Sequence, residues 1–286
     1  MRNHIGFFIV GFFSAGCFLL ASPYSAPGTG VDRDPSPSPS PSPTSADSLW
    51  WKPPVEITWQ WQLSGEEADT SFDVDVYDLD ALDTGAEVVA SLHLQGRRAV
   101  CYISAGSWED WRPDAGDFPK EILGRNYEGW EGERWLDIRR IDILGPILRA
   151  RMDLCQAKGF DAVEPDNIDG FQNVTGFPIT AEDQLSFNRW LADEAHARGL
   201  AIALKNDPDQ AAELAADFDL ALAEDCFDQD WCEMLLPFLE AGKPVLDAEY
   251  TDTGIALEEF CPQAEALGIR AILKHRELDA WRRTCP

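Results

Sequence analysis

From residue 50 onward, short apolar runs rich in β-branched and aromatic residues alternate with longer stretches of mixed polarity. The short runs fall at 57–63, 74–79, 99–104, 161–166, 201–206, 220–224, 244–249 and 270–274. They have strand length and end in turn-forming or charged residues, while segments such as 181–198 carry the spacing of an amphipathic helix. Strand and helix in repeated succession predict βα units and a parallel sheet. Eight units favour an α/β fold of the closed (β/α)8 TIM-barrel type over an open sheet. No G-x-G-x-x-G follows the first run, as a dinucleotide-binding sheet would require.

In such a barrel, functional groups sit where strands run out into the βα loops. The fourth run ends Glu164-Pro165-Asp166-Asn167-Ile168-Asp169, the fifth Lys205-Asn206-Asp207, the sixth Glu224-Asp225 and the seventh Asp247-Ala248-Glu249-Tyr250. One acidic residue at a strand end is commonly just a solvated loop charge; four polar ends together point to a site. Alternation refines this, because successive side chains face opposite sides of a strand. With Val163, Ile202 and Leu204 turned outward, Glu164, Asp166 and Lys205 face the axis. Glu164 and Lys205 then pair inside the barrel mouth, since an unpaired charge at that depth is costly, which gives Glu164 a supporting role. Tyr102 and Ser104 face the axis from the third run as polar contacts. Glu224 shares the parity of Leu220 and Leu222, so either those leucines face the axis or the strand ends or bulges near Ala223.

Residues 1–26 read as a signal peptide or membrane anchor: Arg2, an apolar run over 5–21, then small and turn-forming residues. Cys17 after Ser14-Ala15-Gly16 resembles a weak lipoprotein box, which would tether the protein to a membrane. Residues 27–49, with the repeat SPSPSPSP at 36–43, form a Pro/Ser-rich linker, leaving 50–286 as one barrel. The protein is therefore expected to be secreted or anchored to the cell envelope. A formal net charge of −28 makes nucleic acid a poor partner, because phosphate would meet repulsion. A neutral or cationic substrate is favoured. The six cysteines after Cys17 suggest disulfides in an exported chain, with Cys226–Cys232 and Cys261–Cys285 the expected pairs and Cys101 and Cys155 left open. No C-x-x-C or H-E-x-x-H occurs, and no metal or cofactor is implied. The acidic stretch 73–80 lacks the glycine and terminal glutamate of a calcium loop and reads as a strand edge.

The segments CYISAGSWEDWRPD over 101–114, VEPDNIDG over 163–170, AEDCF over 223–227 and DAEY over 247–250 stand in the order of glycoside hydrolase family 114, which this chain resembles from about Trp51 to its C-terminus. That resemblance implies a (β/α)8 fold and endo-α-1,4-polygalactosaminidase activity. It places the two catalytic carboxylates on Asp166 and Glu224, implies a cysteine-containing segment at Cys226 and Cys232, and favours a retaining mechanism. Family members often have Cys-Asp-Gly where this chain has Phe160-Asp161-Ala162, which leaves the partner of Cys155 open.

Glycoside hydrolysis needs one protonated and one ionised carboxyl group. Asp166 suits the nucleophile, and Glu224, beside Asp225, suits the acid, with Glu164 and Glu249 as rivals. An amino-sugar polymer also accounts for the acidity, and Asp169, Asp247 and Glu249 are candidates to contact its ammonium groups. Asn167, Lys205 and Asn206 are further substrate contacts. Of eleven tryptophans, Trp59, Trp108 and Trp111 lie near strand ends and are candidates for stacking on sugar rings. The competing readings are a non-catalytic carbohydrate-binding barrel and a different carbohydrate-active enzyme on the same fold.

Overall fold

The computed structural model describes residues 49–65 and 67–286. The expected export segment, Cys17 and nearly all of the linker lie outside the described residues. The strands in chain order are β1 Trp59–Gln62, β2 Val76–Asp80, β3 Arg98–Ser104, β4 Ser107–Glu109, β5 Leu123–Asn126, β6 Glu133–Leu136, β7 Ala162–Asp166, β8 Ala201–Lys205, β9 Leu220–Glu224, β10 Val245–Tyr250, β11 Arg270–Lys274 and β12 Arg282–Thr284. The helices are α1 Ala86–Leu94, α2 Ile141–Lys158, α3 Ala181–Ala197, α4 Ala211–Leu214, α5 Leu236–Glu240 and α6 Leu257–Leu267. All eight expected runs form strands. They lie parallel in the order β1-β2-β3-β7-β8-β9-β10-β11, and β12 adds antiparallel to β11.

The barrel is nearly closed. β1 and β11 share no ladder; Trp59 Nε1 donates to the Arg270 carbonyl at 2.8 Å, and Leu63 N donates to the Leu278 carbonyl at 2.9 Å. At the opposite end from the cleft described below, Asp219 accepts from Trp50 Nε1, Lys52 Nζ and His196 Nε2, which pins the start of the described chain.

Two apolar layers follow from alternation. Val76, Val100, Ala162, Ala201, Ala203, Leu220, Leu222, Leu246 and Ile272 fill the barrel with Trp59 and Trp61. Val163, Ile202, Leu204, Ala221 and Ala223 face the helices. The parity of β9 is thereby settled: its leucines face the axis, because the alanines of β7 and β8 leave room there, and Glu224 follows them inward. The long helix α3 starts where expected, at a capping box in which Thr180 Oγ1 accepts from Asp183 N.

Between β3 and α2 the chain builds a feature that the apolar pattern does not announce. β4, β5 and β6 form a small antiparallel sheet in the order β4-β6-β5, which rises beside the C-terminal mouth of the barrel. Both expected disulfides are present, and Cys101 pairs with Cys155, tying β3 to α2.

Candidate active site

Each central strand delivers one polar side chain to the axis and then turns away sharply. Asp166, Lys205 and Glu224 end β7, β8 and β9, and the residues after them, Asn167, Asn206 and Asp225, have φ of 63°, 51° and 54°. Asn and Asp tolerate this left-handed conformation better than other non-glycine residues, which explains their place after each of these three side chains. Gly106 is required nearby, because a Cβ there would sit 1.7 Å from the Asn167 carbonyl oxygen.

Lys205 Nζ lies 2.8 Å from Asp166 Oδ1, 2.8 Å from Glu224 Oε2 and 3.5 Å from Glu164 Oε1, with the Trp61 ring 5.0 Å away. Burial opposes its charge, but the carboxylates of Asp166, Glu224 and Glu164 outweigh that and hold its pKa well above the ordinary lysine value. The second oxygen of each outer carboxylate meets a tyrosine: Tyr102 Oη donates to Asp166 Oδ2 at 2.9 Å, and Tyr250 Oη donates to Glu224 Oε1. Burial, then the adjacent carboxylate, raises both phenols well above their usual range, so they remain donors. Asn167 N adds a donor to Asp166 Oδ1 at 2.8 Å, and Glu224 N donates to Asn206 Oδ1 at 3.0 Å. Two carboxylates are thus held face to face on one ammonium. Beneath them Glu164 and Asp78 are fully buried side by side; burial raises Glu164 well above the carboxylate range and Asp78 to about 7.

These groups floor a cleft of about 270 Å³. Of the residues expected at the site, Tyr102, Asp166, Asn167, Asp169, Lys205, Asn206 and Glu224 line it. Ser104 lies just behind the wall, its hydroxyl 2.6 Å from that of Ser107. Trp59 is buried deeper in the barrel, where Trp61, one inward position closer to the C-terminal end, takes the cleft place. Trp108 packs against the outer core and donates to the Ala115 carbonyl at 3.0 Å. Trp111 is at the rim and half exposed.

Asp247 and Glu249 do not reach the cleft, because Leu246, Ala248 and Tyr250 take the inward positions of β10. Glu249 instead accepts from Phe227 N at 2.7 Å, and Asp247 from Cys226 N at 3.4 Å, which holds the loop that follows Glu224. Among the described residues Cys226, Cys232 and Asp247 cluster closely enough for a metal, but the two sulfurs are joined in a disulfide and offer no thiolate. Sequence reasoning missed Tyr127, Trp130 and Glu133, which enter the cleft from the small sheet and its loops.

The buried acids have a measurable consequence. Burial raises Asp78 to about 7, Asp169 to about 6, Asp207 to about 8 and Glu249 to about 7. A carboxyl group whose folded value is raised stabilises the fold below its unfolded value, and that contribution is lost as pH rises through the folded value. Asp219 works the other way: against its burial, hydrogen bonds from His196, Lys52 and Trp50 lower it, so its contribution is lost as pH falls below about 4. Urea denaturation is expected to show maximal stability between about pH 4 and 6 and a decline toward pH 8. Stability that rose steadily from pH 6 to 8 would contradict this.

Residues 40–286 match the glycoside-hydrolase family GH114. The crystal structure of Aspergillus fumigatus Ega3 in complex with galactosamine superposes with a TM-score of 0.79 at 33% identity, covering 85% of this chain and 99% of that one. The glycoside hydrolase domain of PelA from Pseudomonas aeruginosa shares the fold, with a TM-score of 0.62 at 17% identity over 81% of this chain and 99% of that one. An uncharacterized protein of Deinococcus radiodurans is 27% identical over 234 residues, 72% of this chain and 73% of its own length. With two carboxylates at the C-terminal ends of barrel strands and a family match over the whole described domain, this chain is a glycoside hydrolase and belongs to family GH114.

Proposed function

We propose that the chain is an exported endo-acting hydrolase of an α-1,4-linked, galactosamine-containing polysaccharide, and that it works with retention of configuration. The observation that carries the reading is the joint grip of Lys205 on Asp166 and Glu224. Their nearest oxygens lie no further apart than twice 2.8 Å. Two carboxyl groups sharing one ammonium support the close spacing of retaining glycosidases, about 5 to 5.5 Å, over the wider gap of about 6.5 to 9.5 Å of inverting ones. In the first step Asp166 attacks the anomeric carbon while Glu224 gives its proton to the departing glycosidic oxygen. In the second, Glu224 takes a proton from water, which attacks the same carbon and releases Asp166.

Charge supports the substrate class. Every cation lining the cleft is already paired: Arg112 with Asp80 and Glu109, Lys205 as above, and Arg276 with Asp225 and Asp252. Asp83, Glu133, Asp169 and Glu277 line it with no ion pair among the described residues. Such a cleft attracts ammonium groups, and Ega3 was solved with galactosamine. Three disulfides fit an oxidising compartment, which supports export.

The purified protein is expected to release new reducing ends from an α-1,4-galactosamine polymer, faster than from its fully N-acetylated form. Raising salt should slow the reaction, because attraction across the cleft is screened beyond about 8 to 10 Å at physiological ionic strength. An unsaturated product would indicate elimination instead, and equal turnover of charged and N-acetylated chains would remove charge from the explanation.

A further inference from the structure

Glu133 lies on β6, the central strand of the small sheet, and is 7% exposed. Its Oε1 accepts from the Ser107 hydroxyl and from Asn167 Nδ2 at 3.0 Å. Asn167 Nδ2 also reaches Ser107 Oγ at 2.8 Å, and Ser107 Oγ lies 2.6 Å from Ser104 Oγ. Two residues, Ser107 after β3 and Asn167 after β7, therefore hold one oxygen of one carboxyl group, with Ser104 bonded behind them. The other oxygen, Oε2, accepts no hydrogen bond among the described residues, and Glu133 forms no ion pair there, although it lines the cleft. Glu109, the other acid on that wall, is bound to Arg112 at 2.7 Å.

A buried carboxyl group with no countercharge is costly to keep. Its place becomes intelligible if the countercharge arrives with the ligand. We propose that Glu133 recognises the ammonium group of the sugar unit held against Asp166 and so sets the preference for free amino sugar over N-acetylated sugar. This rests on the hydrolytic reading above. Asn167 directly follows Asp166 and bonds Glu133, so the two carboxyl groups belong to neighbouring positions on one sugar-binding wall. An acetamido group there would present a neutral amide and a methyl group to the open oxygen, with no charge to offset the burial of a carboxylate.

The neighbours add a second signature. Glu133 faces Glu109 with its partner Arg112, Tyr127, Asp166 and Lys205. Burial first, then the charges of Asp166 and Glu109, raises it to about 7. An ammonium ligand favours the ionised form, so binding strengthens as pH rises through this value, until the substrate amine loses its own proton.

The test compares wild type, Glu133→Gln and Glu133→Asp on fully de-N-acetylated and partly N-acetylated α-1,4-galactosamine polymers. For Glu133→Gln, kcat/KM on the free-amine polymer is expected to fall about 10- to 100-fold, mainly through KM, the loss typical of a charged hydrogen bond. The ratio between the two polymers should fall about 10-fold or more, and the rise in affinity from pH 6 to 8 should flatten. Glu133→Asp, which keeps the charge, should recover part of the ratio. A ratio unchanged in Glu133→Gln, whether both rates fall together or neither does, overturns the proposal. Calorimetry with galactosamine and galactose separates the two readings: if wild type cleaves neither polymer, the hydrolytic reading fails. A variant that still prefers galactosamine as wild type does then removes the role of Glu133 independently.

Discussion

Asp166→Asn and Glu224→Gln are each expected to reduce hydrolysis by about 10³-fold or more, on the order of 4 kcal/mol of transition-state stabilisation, with the fold intact. Shape is kept in both. In Asp166→Asn the amide oxygen still faces Lys205 Nζ and Asn167 N, and the new NH2 meets the Tyr102 hydroxyl, which accepts as readily as it donates. In Glu224→Gln the same exchange occurs at Tyr250. What is lost is the ability to attack or to pass a proton. The two roles separate in the alanine variants. With a retaining nucleophile, Asp166→Ala supplied with azide should yield a glycosyl azide of inverted configuration. Glu224→Ala should retain turnover best on substrates whose leaving group needs no proton. Near-normal activity of either conservative variant, with a wild-type circular dichroism spectrum, would reassign the chemistry, and Glu164 would be the first rival to examine. Glu249 is a weaker one, since its carboxylate is occupied by two backbone N–H groups behind the site.

The same geometry shows which parts of the site a sequence can express. The barrel is legible because each strand is a short apolar run, and the floor is legible because a period of two carries inward parity to the strand end, as at Ala201, Ala203 and Lys205. Parity leaves the side undecided where both faces are apolar, as in β9, where the size of residues on neighbouring strands decides, and polarity misleads in β10, where Leu246, Ala248 and Tyr250 face the axis and Asp247 and Glu249 do not. Depth is harder. Trp59 and Trp61 share a parity, yet two residues move a side chain about 6 to 7 Å along the axis, enough to separate barrel filling from cleft lining. The wall bearing Tyr127, Trp130 and Glu133 is illegible for another reason. β4, β5 and β6 have three to four residues each, too few to show alternation, and their partners are set by tertiary contacts with Asn167 and Ser104. Asn167 and Ser104 could be marked as polar and inward, but not that they meet a glutamate 34 residues away from Asn167.

Lys205→Met should be the most damaging single change to the fold at this site. Methionine matches the length of the lysine stem and packs against Trp61, but it removes the cation that Glu164, Asp166 and Glu224 surround. Breaking a buried ion pair from one side leaves charge without compensation and typically costs about 3 to 5 kcal/mol, which for a domain of this size corresponds to a Tm lower by roughly 10 °C. Arginine should not substitute, because its planar fork is wider than an ammonium held among three carboxylates and a ring. The deficit has a definite pH dependence. Burial already raises Glu164, and without the cation the attraction that opposes that rise is gone, so its folded value rises further and stability is lost as pH increases. The variant should therefore lie closest to wild type at about pH 5 and furthest from it at about pH 8. Adding Glu164→Gln to Lys205→Met should restore part of the stability, since a buried group that titrates is replaced by an amide that does not, yet not the activity, because Asp166 and Glu224 would still lack the ammonium that holds them face to face. Urea denaturation of the single and double variants at the two pH values measures each term. A Lys205→Met protein as stable as wild type at pH 8 would mean that the ammonium is not what holds Asp166 and Glu224 together.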